Sequence, residues 1–297
     1  MSKKCAFVAI VGRPNVGKSS LMNYIIGAKV AIVTPKPQTT RNRIMGVFTE
    51  DDMQLIFIDT PGIHLPKTRL GRQMNKSAYS SLLDTDCVVF VVDSNHEIRD
   101  EERAIISKLQ SAKVPVVLAL NKVDKLKTKE NLLIKIDEYN ELLNFKALIP
   151  TSAKTGDGVN VLKDLLKELA PESTHHFDED MLSDMPERAI AGEIIREKLL
   201  ILLNDEVPHG IMVDIEKFSE RKSAKGEDIV DIEAYIYCER ESHKGIIIGK
   251  KGALLKTAGT YAREDMEEFF GVKINLNLWV KVRENWRNHD ATISKIF

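Results

Sequence analysis

The chain has 297 residues, with 43 Lys and Arg set against 44 Asp and Glu, for a net charge of −1. That length accommodates two domains with separate cores. The even balance argues against a general polyanion binder, and no apolar run is long enough to span a bilayer as a helix. Three cysteines, Cys5, Cys87 and Cys238, form no C-x-x-C pair and fit burial in a reducing cytosol. There is no internal repeat.

In chain order, Ala6 to Val11 is an apolar run that reads as a buried strand rather than a leader peptide. Gly12, Arg13, Pro14, Asn15, Val16, Gly17, Lys18 and Ser19 follow and fit G-x-x-x-x-G-K-[ST]. From Ser20 the chain is helix-like until Gly27. Strand, glycine-rich turn and helix start make a phosphate cradle: backbone N–H groups and the positive end of the helix face a β-phosphate. Lys18 reaches β- and γ-phosphate oxygens, and the Ser19 hydroxyl is placed to ligate Mg²⁺.

Gln38-Thr39-Thr40-Arg41 lies in a Pro- and Thr-rich stretch. One of its threonines is expected to close on Mg²⁺, with Thr40 favoured over Thr39. A loop held only by metal and γ-phosphate behaves as a switch. Leu55 to Ile58 reads as a strand that delivers Asp59 to the metal side of the phosphates, where it is expected to hold Mg²⁺ through water, followed by Thr60, Pro61, Gly62 and Ile63. The Gly62 N–H is expected at the γ-phosphate. Val114 to Leu120 is another apolar strand and leads into Asn121, Lys122, Val123 and Asp124. A carboxylate here can accept from both N1–H and the 2-amino group of guanine, a donor pair that adenine lacks, so Asp124 selects GTP and GDP over ATP. Asn121 is expected to tie this loop to the phosphate loop, and the Lys122 stem to lie over the base. After the apolar run Phe145 to Pro150 come Thr151, Ser152, Ala153 and Lys154, where the Ala153 N–H fits the guanine O6. Lys18, Thr40, Asp59 and Gly62 are the expected catalytic set. Ser19, Thr40 and Asp59 are the expected metal ligands. Ile63 stands where many switch GTPases carry a glutamine, and it cannot orient a water by hydrogen bonding, so slow intrinsic hydrolysis is expected. The Asn15 amide oxygen is a candidate ligand for K⁺, which would supply positive charge beside the phosphates.

The strings G-R-P-N-V-G-K-S, P-Q-T-T-R, D-T-P-G-I-H, N-K-V-D and T-S-A-K, in this order, resemble the Era family of the translation-factor-related GTPases. The resemblance first covers roughly residues 1–170.

Beyond it, Ser173 to Asp180 is polar and acidic and reads as a linker or an ordered loop. Its His175-His176 pair reads as loop rather than metal site. A helix is expected from Pro186 to Asn204. Strands are expected over Gly210 to Phe218 and Ile229 to Cys238, with a charged turn from Ser219 to Asp228 between them. Ile248, Gly249, Lys250, Lys251 and Gly252 fit the I-G-x-x-G loop of KH domains, in which glycines let an RNA backbone approach closely and the next helix offers free N–H groups. A helix then runs to Phe270 and a strand from Val272 to Arg283. The order helix, strand, strand, helix, G-x-x-G, helix, strand resembles a type II KH domain, and a phosphate-loop GTPase joined to one is the pair that marks the Era family. The expected fold is α/β: a P-loop GTPase domain with a mostly parallel sheet flanked by helices over residues 1–172, a linker over 173–185, and a smaller α+β type II KH domain over 186–297.

Residues 181–297 carry 18 Lys and Arg against 21 Asp and Glu, unusual for an RNA binder. Local concentration answers this: Lys244, Lys250, Lys251 and Lys256 cluster around the glycine loop, so a narrow basic strip with a shallow salt dependence is expected. The resemblance implies a GTP-hydrolysing switch that binds the 3′ end of the small-subunit (16S-type) rRNA and assists maturation of the 30S subunit. It implies Mg²⁺ as cofactor, a monomer, no DNA partner, and a cytoplasmic location with peripheral membrane association as an option. The competing reading is a membrane-associated signalling GTPase whose C-terminal domain binds protein or lipid; the Tyr261 to Phe270 helix is amphipathic but acidic, which disfavours anionic lipid. A tRNA-modification GTPase is a third option, but no second catalytic centre is present.

Overall fold

Short apolar runs buried from end to end build the first sheet of the computed structural model, which describes residues 3–36, 38–63, 66, 68–81, 85–126, 128–204, 207–294 and 296. Every residue of β4 (Cys87–Asp93) and β5 (Val116–Asn121) is buried, so both faces of the sheet need cover. β1 (Lys4–Val11), β3 (Met53–Asp59) and β6 (Ala147–Pro150) run parallel with them, and β2 (Ile44–Glu50) pairs antiparallel to β3 at the edge. The strand order is β2-β3-β1-β4-β5-β6. The helices are α1 (Lys18–Ile26), α2 (Arg69–Ser80), α3 (Asp100–Leu109), α4 (Lys129–Asn140) and α5 (Val159–Leu169). Phe90, Leu118 and Leu120 pack against Ile105, Ile106, Leu109 and Tyr139 on one side of the sheet. The parallel strands therefore deliver residues 12–17, 59–63, 121–124 and 151–154 to one edge, where open α/β sheets bind ligands.

The polar stretch after α5 is an ordered strap. Gln54 is fully buried on β3 and holds it: its Oε1 accepts from the N–H groups of His176 (2.8 Å) and Phe177 (3.1 Å), and its Nε2 donates to the Phe177 carbonyl at 3.0 Å. The Val47 N–H donates to Leu182 O at 2.8 Å, and the His176 ring lies 5.2 Å from that of Phe7.

The chain divides into two units, Met1–Val33 with Thr40–Asp184 and Thr34–Thr39 with Met185–Phe297. The second unit contains α6 (Glu187–Leu202), β7 (Met212–Lys222), β8 (Asp228–Cys238), α7 (Glu241–Ile248), α8 (Ala253–Phe270), β9 (Lys273–Val282) and a terminal turn of helix, α9 (Asp290–Ile293). Its sheet runs β7-β8-β9, antiparallel then parallel. A parallel pair needs a long crossover, which α7 and α8 supply. Ile232, Ala234, Ile236 and Cys238 alternate inward from β8 onto Ala191, Ile195 and Leu199 of α6 and Ala258, Ala262 and Met266 of α8. The turn expected over 219–228 is shorter than predicted, because β7 continues to Lys222 and β8 begins at Asp228. Cross-strand ion pairs Arg221–Asp231 (2.7 Å) and Lys222–Asp228 (2.8 Å) accompany the extension, so residues that look like turn in sequence serve as paired strand.

Candidate functional site

The loop after β1 wraps the start of α1. Gly12 and Gly17 have φ of +152° and +103°. A Cβ at Gly12 would lie 2.3 Å from the Val91 carbonyl oxygen, and one at Gly17 would lie 2.2 Å from Asn121 Nδ2, so only glycine fits either place. α1 has no side-chain cap and no acid in its first turn, which leaves its dipole and N–H groups to an anion. Lys18 is buried and donates to the carbonyls of Gly12 (3.2 Å) and Arg13 (2.9 Å). Burial pulls its ammonium down to about 8, and the charge of Asp59 opposes that fall.

Three hydroxyl and carboxylate oxygens meet beside it. Ser19 Oγ donates to Asp59 Oδ2 at 2.5 Å, Thr40 Oγ1 donates to the same oxygen at 3.4 Å, and the two hydroxyls are 3.1 Å apart. Asp59 is fully buried, and its Oδ1 has no hydrogen-bond partner. Burial raises the Asp59 carboxyl, against the pull of Lys18 and the two hydroxyls. A buried carboxylate with one oxygen held by two hydroxyls and the other left without a partner is a hard-oxygen donor set that fits Mg²⁺. Thr39 Oγ1 turns elsewhere, to Thr34 Oγ1 and the Lys36 carbonyl, both at 2.7 Å. Pro37 and His64, members of the P-Q-T-T-R and D-T-P-G-I-H strings, lie outside the described residues.

Thr60 donates from its hydroxyl to Ile10 O at 2.8 Å, fixing the start of the loop after β3. A Cβ at Gly62 would lie 2.6 Å from Pro14 N and Cα. Ile63 is buried, and its N–H donates to Gly12 O at 3.3 Å. No polar side chain stands at position 63.

At the ends of β5 and β6, Asn121 is buried and joins three segments: Nδ2 donates to Val16 O at 2.8 Å, while Oδ1 accepts from the Ala153 N–H at 3.0 Å and lies 3.5 Å from Thr151 Oγ1. The Ala153 N–H, expected at a guanine O6, is thus already engaged, and a base oxygen would share that donor. Ser152 Oγ donates to Asp124 Oδ1 at 2.7 Å and orients that carboxylate, while Lys154 is exposed. Val123 and Asp124 lie in a single 3₁₀ turn, Val123–Lys125, entered from Lys122 at φ +65°. Lys122 donates to Asn15 O at 2.6 Å and to Asp93 Oδ2 at 2.7 Å. Asp93, Ser94 and Asn95 at the end of β4 are site residues that the sequence reading missed. Ser94 Oγ donates to Asn121 O at 2.8 Å, and Asn95 Nδ2 donates to Lys122 O at 3.0 Å. The available signal was the run Cys87-Val-Val-Phe-Val-Val-Asp93, an apolar strand that ends on an acid as β3 does.

In the second unit, α7 ends at Ile248 and the chain turns through Gly249 (φ +73°, ψ 177°), Lys250, Lys251 (φ +52°) and Gly252 (φ +79°) into α8. A Cβ at Gly249 would lie 2.7 Å from Leu254 Cβ, so the loop backbone lies hard against the helix it precedes. α8 lacks both a side-chain cap and an acid in its first turn, and Lys250, Lys251 and Lys256 are exposed around it. A groove of about 380 Å³ opens beside the loop, lined by Gly252 of the loop, by Leu255, Lys256, Gly259 and Arg263 of α8 and by Leu276 and Leu278 of β9. Its apolar floor and cationic rim suit bases and phosphates respectively.

Known proteins match both units. A family described as 50S ribosome-binding GTPase matches residues 7–122, and one described as KH domain matches residues 206–287. The GTPase Era of Clostridioides difficile is 49% identical over 285 residues, 96% of this chain and 95% of that protein. The chain belongs to the Era family of GTPases. Its activity is that of the family, hydrolysis of GTP. An Era variant from Aquifex aeolicus, solved bound to GDP and AlF4⁻, is 38% identical and superimposes with a TM-score of 0.94 over 98% of both chains. Era solved in complex with MgGDPNP and nucleotides 1506–1542 of 16S ribosomal RNA agrees equally well, with 38% identity and a TM-score of 0.94 over 98% of both. The α/β GTPase domain with its mostly parallel sheet, followed by a KH domain, is the fold expected from the sequence.

Proposed function

We propose that this Era-family GTPase uses its nucleotide state to control binding of single-stranded RNA near the 3′ end of 16S-type rRNA, and so assists assembly of the 30S subunit. The observation that supports this most is its likeness, over 98% of both chains, to an Era that holds MgGDPNP and nucleotides 1506–1542 of 16S rRNA. In this reading Gly12 to Ser20 cradle the phosphates and Lys18 contacts them. Ser19, Thr40 and Asp59 hold Mg²⁺, which neutralises phosphate charge when bound. Asp124, oriented by Ser152, reads guanine, and Lys122 covers the base. Ile63 offers no hydrogen bond to water, so water is placed by backbone groups, a partner or a metal ion, and intrinsic turnover is slow. Asn15 serves as a ligand to K⁺; equal turnover in potassium and sodium buffers of equal ionic strength would remove that role. Ile248 to Gly252 and Lys256 grip the RNA, and the functional domains are residues 1–172 and 186–297, joined by 173–185.

The same proposal places the protein in the cytoplasm, where its buried, unpaired cysteines suit a reducing compartment. Peripheral association with the inner membrane face would be read by co-sedimentation with vesicles. The described residues contain no helix long and apolar enough to cross a membrane.

Calorimetry tests the whole. GTP is expected to bind and ATP is not, and an unstructured oligoribonucleotide of the 3′-end sequence is expected to bind more tightly to the GDPNP form than to the GDP form, because only differential affinity shifts a population. Equal RNA affinity in both forms would end the switch model.

A further inference from the structure

α6 and α8 cover one face of the β7-β8-β9 sheet. The other face carries a cluster of rings and cations at the β8–β9 end. Parallel pairing sets Tyr235 beside Trp279 and Tyr237 beside Lys281. Because Ala234, Ile236 and Cys238 point into the core, these alternate residues point out. The Tyr235 and Trp279 rings lie 5.6 Å apart at 39°, and those of Tyr235 and Tyr237 lie 6.3 Å apart at 43°. Lys281 Nζ sits 3.4 Å from the Tyr235 ring centre, and the Arg283 guanidinium sits 4.5 Å from that of Tyr237. Among the described residues neither cation belongs to an ion pair. Cross-strand ring packing would stabilise a sheet without any ligand. It does not explain why Trp279 is left 42% exposed or why two uncompensated cations are stacked on the rings.

The position of β9 relates this cluster to the groove. β9 is an edge strand whose Leu276 and Leu278 line the groove on the helix side, while Trp279 and Lys281 stand on the outer side. A strand of RNA leaving the groove across this edge meets Trp279 next. Asp231, toward the start of β8, is held by Arg221 and Asn275; Glu233 of β8, opposite Lys217 and Asn277, and Asp214 of β7, opposite Tyr235, bring two acids alongside the Tyr235 end of the cluster, while the β9 side, with Trp279 and Lys281, carries none. Flat rings with cations interleaved match the chemistry of unpaired bases on an anionic backbone, the combination used by single-strand platforms.

We propose that this outer face is a second contact for the same single strand of RNA, with Trp279 and the Arg283 guanidinium stacking on bases and Lys281 meeting a phosphate. The inference rests on the RNA-binding reading of the G-K-K-G groove.

The test uses the full chain with GDPNP and two unstructured oligoribonucleotides, one of about four nucleotides to fill the groove alone and one of about twelve. Of the two tryptophans, Trp286 is fully buried, so quenching of exposed indole fluorescence reports on Trp279. The long oligonucleotide is expected to quench and to bind more tightly than the short one. Trp279→Ala should weaken the long one by about five- to fifty-fold and leave the short one unchanged, which also certifies the fold. A Lys281→Gln, Arg283→Gln double variant should weaken the long one and flatten its salt dependence. Wild-type affinity of both variants for the long oligonucleotide would overturn the proposal and leave the face to a protein partner. If Gly249→Asp leaves binding of the short oligonucleotide intact, it is the groove reading that fails instead.

Discussion

The Lys122 ammonium is held between Asp93 Oδ2 at 2.7 Å and the Asn15 carbonyl at 2.6 Å, so one side chain bridges the ends of β4 and β5 to the phosphate loop. Burial alone would raise the Asp93 carboxyl, but hydrogen bonds from Lys122 and Asn95 hold it below its ordinary range. Asp93→Asn should therefore leave Lys122 without its orienter and weaken GTP and GDP alike, by about 1–2 kcal/mol. Calorimetry with both nucleotides checks this; a loss confined to GTP would mean that Lys122 answers to the γ-phosphate instead.

Lys18 sets a pH dependence. In the nucleotide-free protein its ammonium titrates near 8, lowered by burial, whereas phosphate oxygens favour the charged form. Nucleotide affinity should fall as pH rises through about 8, by up to about tenfold per unit, with proton uptake on binding above that pH. The nucleotide-free fold responds in the opposite sense. A lysine whose folded pKa is depressed penalises stability below about 8, and the penalty is relieved as pH rises toward the unfolded value. Titrations from pH 7 to 9.5 in buffers of different ionisation enthalpy measure the first effect; constant affinity with no proton uptake contradicts it.

Asp124 should decide the base. Replacing its carboxylate by an amide in Asp124→Asn turns an acceptor into a donor at the edge that meets N1–H and the 2-amino group. GTP should weaken by about 3 kcal/mol or more, while a purine with a carbonyl at C2 should gain. Competition between GTP and xanthosine triphosphate reads the result directly.

Gly249, in the loop proposed to hold RNA, lies in a backbone region open only to glycine, with φ +73° and ψ 177°. Gly249→Asp adds a side chain that must displace Leu254 and puts a negative charge where phosphate is expected. RNA binding should be lost, with GTP turnover retained and the unit destabilised by about 1–3 kcal/mol. Filter binding beside a phosphate-release assay separates the two effects.

Gln54 makes a stability prediction with no bearing on ligands. It is fully buried, and its amide satisfies Thr49 at 3.0 Å together with the backbone of His176 and Phe177. Gln54→Ala should leave those strap groups unsatisfied and cost about 2–4 kcal/mol, read as a lower midpoint in urea.

Much of this was legible in the sequence where chemistry is local. The strand, loop and helix around Lys18 sit within one stretch of chain, and the helix, strand, strand, helix, G-x-x-G, helix, strand order around Gly249 is set by alternation and punctuation alone. The missed parts depend on distant partners. Ile44 to Glu50 is an edge strand with a glycine inside it and polar residues only at its end, without a clean inward-outward alternation, and its pairing with β3 makes it a strand. Asp93 is an ordinary strand-end acid until the fold brings Lys122 to it, across 29 residues of sequence. Gln54 looks like a polar interruption of β3, and its role appears only when the strap, more than a hundred residues on, folds over it.

Gly62 packs so closely on Pro14 that a single added methyl would lie 2.6 Å from the proline N and Cα, and this has a mechanical consequence. With no room for a side chain between them, the two loops cannot close further, so a push on one is passed to the other, because contact repulsion rises far more steeply than any attraction falls. Such a linkage is indifferent to ionic strength, so news of the terminal phosphate can pass from one loop to the other in brine as well as in dilute buffer, while the grip on ribonucleic acid slackens.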